Sequence, residues 1–245
     1  CGKEVITPIG NVEPVEIGGV TVSNVSLHNW DFIAEHSIHI GDTLTIERAG
    51  DVIPHVISCA WEEEVDEEPK AIEIDECPEC NSPVIYKKPN IYCTNNNCKG
   101  KKVNKLYDAI TRIGIDRIGK PTIKNMVDIL EVDNLIDIFQ LTKESLLRLP
   151  KFGDKKASNT LNEIHKINDE GVFEWQILAA MNIPGIGRTL SKTLCETFGL
   201  NALMELCLRP TAKVNLTSIE GIEEKRATDI VNGVIENISY LTGLK

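Results

Sequence analysis

Apolar and polar residues alternate in short runs across residues 4–60. Val20 and Val22, then after a local shift Val25 and Leu27, mark one strand; Thr43-Leu44-Thr45-Ile46-Glu47 marks another, and part of 51–58 a third. Gly18-Gly19, Gly41-Asp42 and Ala49-Gly50-Asp51 supply the turns between them, and 28–36 has room for a short helix. Several short strands with one small helix predict a small all-β barrel. From Lys99 onward the period changes to that of a helix. Ile123, Val127 and Leu130 share a face, as do Ala157, Leu161 and Ile164. Leu190, Leu194 and Phe198 form a third stripe, ended by Gly199 as a C-cap, and Ile230, Val231, Val234, Ile235 and Ile238 a fourth.

The helical part repeats itself. Arg117-Ile118-Gly119, Lys151-Phe152-Gly153, Gly185-Ile186-Gly187 and Gly221-Ile222-Glu223 each precede an amphipathic helix, and their apolar centres lie 34, 34 and 36 residues apart. A constant period of this length marks a repeated supersecondary unit. A tetratricopeptide array has a similar period, but it does not place a glycine-bearing turn before each second helix. The expected unit is therefore a hairpin between two helices.

Such a turn has a definite chemistry. The first turn of a helix carries unsatisfied N–H groups and a partial positive charge, and glycine before it lets an anion approach the backbone. A Gly-x-Gly hairpin can thus hold a DNA phosphate without reading sequence. The intact example is Gly185-Ile186-Gly187, with Arg188, Thr189 and Lys192 following and Ile186 expected to pack inward. The second hairpin offers Gly153, Lys155 and Lys156, and the first Gly119 and Lys120. Glu223 replaces the second glycine of the fourth, where its carboxylate repels a phosphate, so that hairpin is expected to be structural.

Four of the eight cysteines are paired: Cys77-x2-Cys80-x12-Cys93-x4-Cys98. Two close pairs of thiolates make the four-sulfur environment that structural zinc prefers, and four protein ligands leave no position for a catalytic water. Pro78 and Asn81 suit a tight first knuckle. A redox Cys-x-x-Cys needs no second pair. The zinc finger spans 77–98. Cys1, Cys59, Cys195 and Cys207 are isolated, which fits reduced thiols better than a disulfide framework.

The net charge of −11 at first speaks against nucleic acid, but its distribution does not. Residues 61–76 hold nine acidic residues against one basic and read as a solvated linker. Residues 77–124 hold ten basic against three acidic; Lys87, Lys88, Lys99, Lys101, Lys102 and Lys105 crowd the finger and the helix after it, where they favour contact with backbone phosphates. The chain has no apolar run of membrane-spanning length, and Cys1-Gly2-Lys3-Glu4 is not an apolar signal segment.

The order barrel, four-cysteine finger, four helix-hairpin-helix units resembles the C-terminal part of the bacterial-type NAD-dependent DNA ligases. The motifs that carry the resemblance are Thr7-Pro8-Ile9-Gly10-Asn11-Val12-Glu13-Pro14-Val15, Gly19-Val20-Thr21-Val22-Ser23, Ser26-Leu27-His28-Asn29, Ile40-Gly41-Asp42, Arg48-Ala49-Gly50-Asp51-Val52-Ile53-Pro54, Cys77-Pro78-Glu79-Cys80, Cys93-Thr94 and Leu141-Thr142-Lys143-Glu144. The resemblance implies a multidomain architecture: an OB-fold over 1–60 that clamps a nick, an acidic linker over 61–76, the zinc finger, and an all-α helix-hairpin-helix domain over 99–245. It implies that Arg48 faces DNA and that His28 and Asn29 serve a turn. It also implies an enzyme that uses NAD as an AMP donor and Mg²⁺ to seal 5′-phosphate/3′-hydroxyl nicks in duplex DNA during replication and repair.

The departures shape the expectation. The adenylated lysine of the family lies in a Lys-x-Asp-Gly motif, and this chain has none. Neither the family's NAD-binding N-terminal segment nor its BRCT domain is matched within these 245 residues, and Asn95 and Asn96 stand where relatives have glycines in a second cysteine loop one residue longer. The chain is therefore expected to lack catalytic residues for the covalent steps, to bind neither NAD nor Mg²⁺ itself, and to work with an adenylation domain or subunit, as a cut portion or as one half of a split ligase. The expected compartment is the cytoplasm of a bacterium, or a viral or phage protein acting there. The rival reading is a non-catalytic binder of DNA structure. Holliday-junction binders also join an OB-fold to helix-hairpin-helix units, but place no cysteine finger between them.

Overall fold

The computed structural model describes residues 5–47, 54–60 and 73–243. Arg48, and the acidic stretch as far as residue 72, lie outside them. The chain divides into two compact units, with the boundary between Cys98 and Lys99.

In the first unit, strands β2 (Ile9–Ile17), β3 (Val20–Ser26), β4 (Thr43–Glu47) and β5 (His55–Ala60) form a sheet of order β2-β3-β5-β4. β2 and β3 are antiparallel, β3 meets β5 in parallel at Ser26 and His55, and β5 runs antiparallel to β4. This is the half-barrel of an OB-fold. Val22, Val25 and Leu27 face a core shared with Ile33, Ile38 and Val56. The break in alternation between Val22 and Val25 coincides with a slip in the β2–β3 register between Asn11 and Val15. Val20, paired with Ile17 at the Gly18-Gly19 turn, is exposed instead.

Helix α1 (Trp30–Glu35) follows β3. Asn29 is its N-cap: the Phe32 N–H donates to Asn29 Oδ1 at 2.9 Å. His28, just before it, has φ of 57°.

A second, three-stranded sheet has the order β1-β7-β6, from β1 (Val5–Ile6), β6 (Val84–Lys87) and β7 (Asn90–Cys93). The start of the chain thus pairs with the cysteine finger, Val5 opposite Tyr92 and Ile6 opposite Ile91. The Trp30 indole donates to the Ile6 carbonyl at 2.6 Å, and Asp31 takes the Tyr86 hydroxyl and lies 3.8 Å from Lys88 Nζ. The finger is fastened to the barrel through α1.

The second unit is all helical: α2 (Lys99–Ile113), α3 (Lys120–Ile129), α4 (Leu135–Phe139), α5 (Lys143–Leu147), α6 (Asp154–Glu170), α7 (Glu174–Ala180), α8 (Arg188–Phe198), α9 (Leu200–Cys207), α10 (Ala212–Thr217), α11 (Glu224–Glu236) and α12 (Ile238–Gly243). The four hairpins are α2–α3, α5–α6, α7–α8 and α10–α11. Their apolar residues sort into two cores. Ile110, Ile123, Met126, Leu146, Ala157 and Ile164 belong to one, which joins hairpins one and two. Leu178, Ile186, Leu194, Leu203, Ile222 and Ile230 belong to the other, which joins three and four. The cores are bridged by α7 on α2, where Arg112 Nη1 donates to the Ala179 carbonyl at 2.6 Å and Gln176 Nε2 to the Ile113 carbonyl at 3.1 Å.

The predicted stripes hold except in the last, where α11 ends at Glu236 and Ile238 begins α12. On α11, Ile230, Val231 and Val234 are buried but Ile235 is 41% exposed, since five residues carry it about 140° from Ile230 around the helix. Gly199 ends α8 with φ of 74°, its N–H on the Cys195 carbonyl.

Candidate nucleic-acid interface and metal centre

The four hairpins are one backbone conformation used four times. The residue before each tip lies in the left-handed region: φ is 63° at Arg117, 61° at Lys151, 78° at Gly185 and 79° at Gly221. Ile118, Ile186 and Ile222 then turn inward and are buried, with Phe152 half-buried at the matching place. The next residue is an extended N-cap in every case: Gly119, Gly153, Gly187 and Glu223, with φ of −79°, −104°, −99° and −84°. Four residues on, Ile123, Ala157, Ser191 and Ala227 all face the core with 0% exposure.

None of the three glycine N-caps has a side-chain cap, so the first-turn amides of α3, α6 and α8 carry no capping oxygen. The hairpins differ in what surrounds those amides. Pro121 removes one donor from the first hairpin. The second has Asp154 in its first turn, ion-paired with Lys143 at 2.8 Å, whose hydrogen bond and charge hold the carboxyl below its usual range. The fourth has Glu224. The third has three amides and no carboxylate.

The cations beside these turns are seated on aromatic rings. Arg188 and Lys192 lie 5.1 and 5.4 Å from the centre of the Trp175 ring. Lys120 lies 5.4 Å from Tyr107 and Lys156 4.1 Å from Phe152. Such contacts hold a long flexible side chain in place while leaving its charge available. Sequence reasoning missed them, although Tyr107 and Trp175 each stand twelve residues before the hairpin glycine, Gly119 or Gly187. Thr189 and Lys155 sit in the first turns of α8 and α6 without an aromatic partner of this kind among the described residues.

The lysine cluster after the finger is partly ion-paired within the helical unit. Lys99 pairs with Asp128 at 2.8 Å, Lys102 pairs with Asp133, and Lys101 is 7% exposed. Two lysines of the positive stretch are thus answered by acids, Asp128 on α3 and Asp133 in the loop after it.

In the finger, all four cysteine sulfurs lie within 4.8 Å of one another. Cys77 Sγ is 3.9 Å from Cys98 Sγ, and Cys80 Sγ is 3.6 Å from Cys93 Sγ. Around an ion about 2.3 Å from each sulfur, a regular tetrahedron has edges of about 3.8 Å. None of the four is in a disulfide. The first knuckle is closed by the Asn81 N–H on the Cys77 carbonyl at 2.8 Å, with Asn81 in the left-handed conformation at φ 54°. The second is closed by the Cys98 N–H on Asn95 O and the Asn97 N–H on Asn95 Oδ1. Hydrogen bonds from Ser82 pull the Cys80 thiol down to about 6, while burial pushes Cys93 up to about 12. The cluster fits a tetrahedral metal ion. The other described thiols are of another kind: burial pushes Cys59 and Cys207 to about 11 and Cys195 to about 12, so they remain protonated.

Comparison with known proteins decides the family. The profile of the NAD-dependent DNA ligase OB-fold domain matches residues 2–68, and that of the SAM-like helix-hairpin-helix tandem matches 177–234, the third and fourth hairpins. A DNA ligase of Aquifex aeolicus is 37% identical over 248 residues, covering 98% of this chain and 33% of the relative. The chain corresponds to the C-terminal portion of the NAD-dependent DNA ligases. DNA ligases of Nitratiruptor (38% identical, 80% of this chain and 30% of the relative) and of Coprothermobacter proteolyticus (32%, 94% and 34%) agree. The chain spans about a third of the length of these ligases. It carries the ligase OB-fold, the four-cysteine cluster and the helix-hairpin-helix region, and no adenylation motif. Among the described residues no helix is long and apolar enough to cross a membrane.

Proposed function

We propose that this chain is the part of an NAD-dependent DNA ligase that binds and clamps nicked duplex DNA while an adenylating part performs the chemistry. The observation that carries the reading is the pair Gly153 and Gly187. Their φ values are open to any residue, and a Cβ on either would meet nothing within 4 Å. Neither backbone strain nor packing requires glycine there. What glycine leaves is a bare helix N-terminus that an outside anion can reach closely.

In this reading the N–H groups of Arg188, Thr189 and Leu190 donate to one backbone phosphate, with Arg188 and Lys192 beside it on Trp175. Gly185 gives the turn its left-handed residue. The second hairpin holds a phosphate through Gly153, Lys155 and Lys156, and the first through Gly119 and Lys120, more weakly for want of the Pro121 donor. These contacts grip backbone only, which suits an enzyme that must act at any sequence. The OB half-barrel, with Arg48, faces the nick.

Zinc is the ion the cluster selects, four thiolates in a closed tetrahedron being its structural environment. When bound it supplies a cross-link rather than chemistry, and Cys77, Cys80, Cys93 and Cys98 hold it. The covalent steps, with NAD and Mg²⁺, belong to the adenylation domain or subunit, and the site of action is the cytoplasm where the DNA lies.

The test is nick sealing by an adenylating portion of the family with and without this chain. Sealing of a nicked duplex should rise on adding the chain and stay at background with the chain alone. No gain over the adenylating portion would leave only a DNA binder.

A further inference from the structure

The fourth hairpin has an acidic N-cap, yet its helix α11 carries an arginine that serves another hairpin. Arg226 Nε and Nη2 donate to the Gly185 carbonyl at 3.3 and 2.9 Å, and Nη1 donates to the Gly221 carbonyl at 3.1 Å. Gly185 and Gly221 are the left-handed residues of hairpins three and four, the same position in two copies of one turn. One guanidinium thus ties two equivalent carbonyls 36 residues apart.

The contact is close and it is not alone. A Cβ on Gly185 would lie 3.7 Å from Arg226 Cγ, so the side chain is laid against the turn itself. Two helical turns further along α11, Gly233 packs against Ile183, just ahead of the same turn. α11 therefore grips the third hairpin at Ile183 and at Gly185.

We propose that Arg226 is a positioning residue: the fourth hairpin has given up phosphate binding and braces the third. The mechanism runs through one peptide plane. The Gly185 carbonyl and the Ile186 N–H share a peptide unit, so fixing the carbonyl fixes that plane. The Ile186 N–H closes the turn on the Ile183 carbonyl at 3.0 Å, and Gly187 and the α8 amides follow from it. A guanidinium forks to two acceptors from one rigid plane, whereas an ammonium on a flexible stem does not. Three of its N–H groups are committed to backbone carbonyls, which makes it a brace rather than a phosphate ligand. The DNA consequence rests on the reading of hairpin three as a phosphate site; the brace does not.

The experiment compares the full chain with R226K and R226A variants by two measurements. Amide hydrogen exchange of residues 185–190, without DNA, should be roughly tenfold faster in both variants, with the remaining helices unchanged. Affinity for a nicked duplex should fall roughly tenfold in both, with the slope of log affinity against log salt kept as in the wild type, because no phosphate contact is lost. If R226K binds as the wild type while R226A loses about 0.9 from the slope, Arg226 is a phosphate ligand and the proposal is overturned. Unchanged exchange in both variants overturns the brace itself. A wild-type chain with no salt-dependent binding overturns the DNA reading instead, and the exchange result alone then decides the brace.

Discussion

A Cβ on Gly233 would lie 2.2 Å from Ile183 Cγ2. At that distance one of the two must move; Ile183 belongs to the core that unites hairpins three and four, and Gly233 is buried against it. Gly233→Ala should therefore destabilise the helical unit by about 1–3 kcal/mol, against the small gain alanine normally brings to a helix interior. Adding Ile183→Ala opens the space, so the double variant should be more stable than the two single losses add up to. Urea unfolding of the four proteins checks it, with additive losses as the contrary outcome.

Gly187 should separate stability from binding. Its φ of −99° suits serine, and a serine there can cap α8. Gly187→Ser should leave thermal stability equal or a few tenths of a kcal/mol higher, yet weaken binding to nicked DNA, since its side chain occupies the phosphate approach. Equal binding would mean the bare backbone there has no ligand.

Trp175 should matter to binding through the cations it seats. Trp175→Ala releases Arg188 and Lys192 from their ring, and a loss of about 1 kcal/mol of DNA binding is expected, with Trp175→Phe in between. Titration at fixed salt measures it; an alanine variant that binds as the wild type would remove the aromatic seat from the account.

Ser191 occupies a core position with 0% exposure, and its hydroxyl finds no hydrogen-bond partner among the described residues. The matching residue of hairpins two and four is alanine, at 157 and 227. Ser191→Ala should stabilise the chain by about 1 kcal/mol, the cost of an unmet buried hydroxyl. A thermal midpoint that falls would show that the hydroxyl has a partner.

Zinc analysis of the chain should find one ion. Chelation should unfold the finger, residues 77–98, and leave the helical unit folded, because the finger's small core is the cysteines with Ile6 and Val84. Cys77→Ser should do the same. Far-ultraviolet dichroism, which reports mostly the helices, should change little while zinc content goes to zero.

Much of this was legible in the sequence where the signal is local or periodic. The cysteine spacing announced the cluster, and the 34, 34 and 36 spacing announced the hairpins, with Ile186 turned inward as expected. What stayed hidden depends on distant pairing. β1 is two residues long, too short for any alternation to show, and its partner Tyr92 is far along the chain. Lys99 and Lys102 gave no sign in the sequence of the acids that pair with them, Asp128 and Asp133. Arg226 gave no signal, because its role exists only where α11 crosses another hairpin. Arg117 and Lys151 stand where hairpins three and four have glycine, yet both hold the left-handed turn at φ of 63° and 61°, at a cost of about 1–2 kcal/mol each.

The most direct test of the central claim is equilibrium binding of the zinc-loaded chain to a nicked duplex over a salt series, with Gly185→Asp/Gly187→Asp as control. The account predicts binding that is indifferent to sequence and falls steeply with salt, by about 0.9 in slope for each phosphate held, and a control that loses both affinity and slope. Binding that is flat with salt, or a control that binds as the wild type, would contradict it.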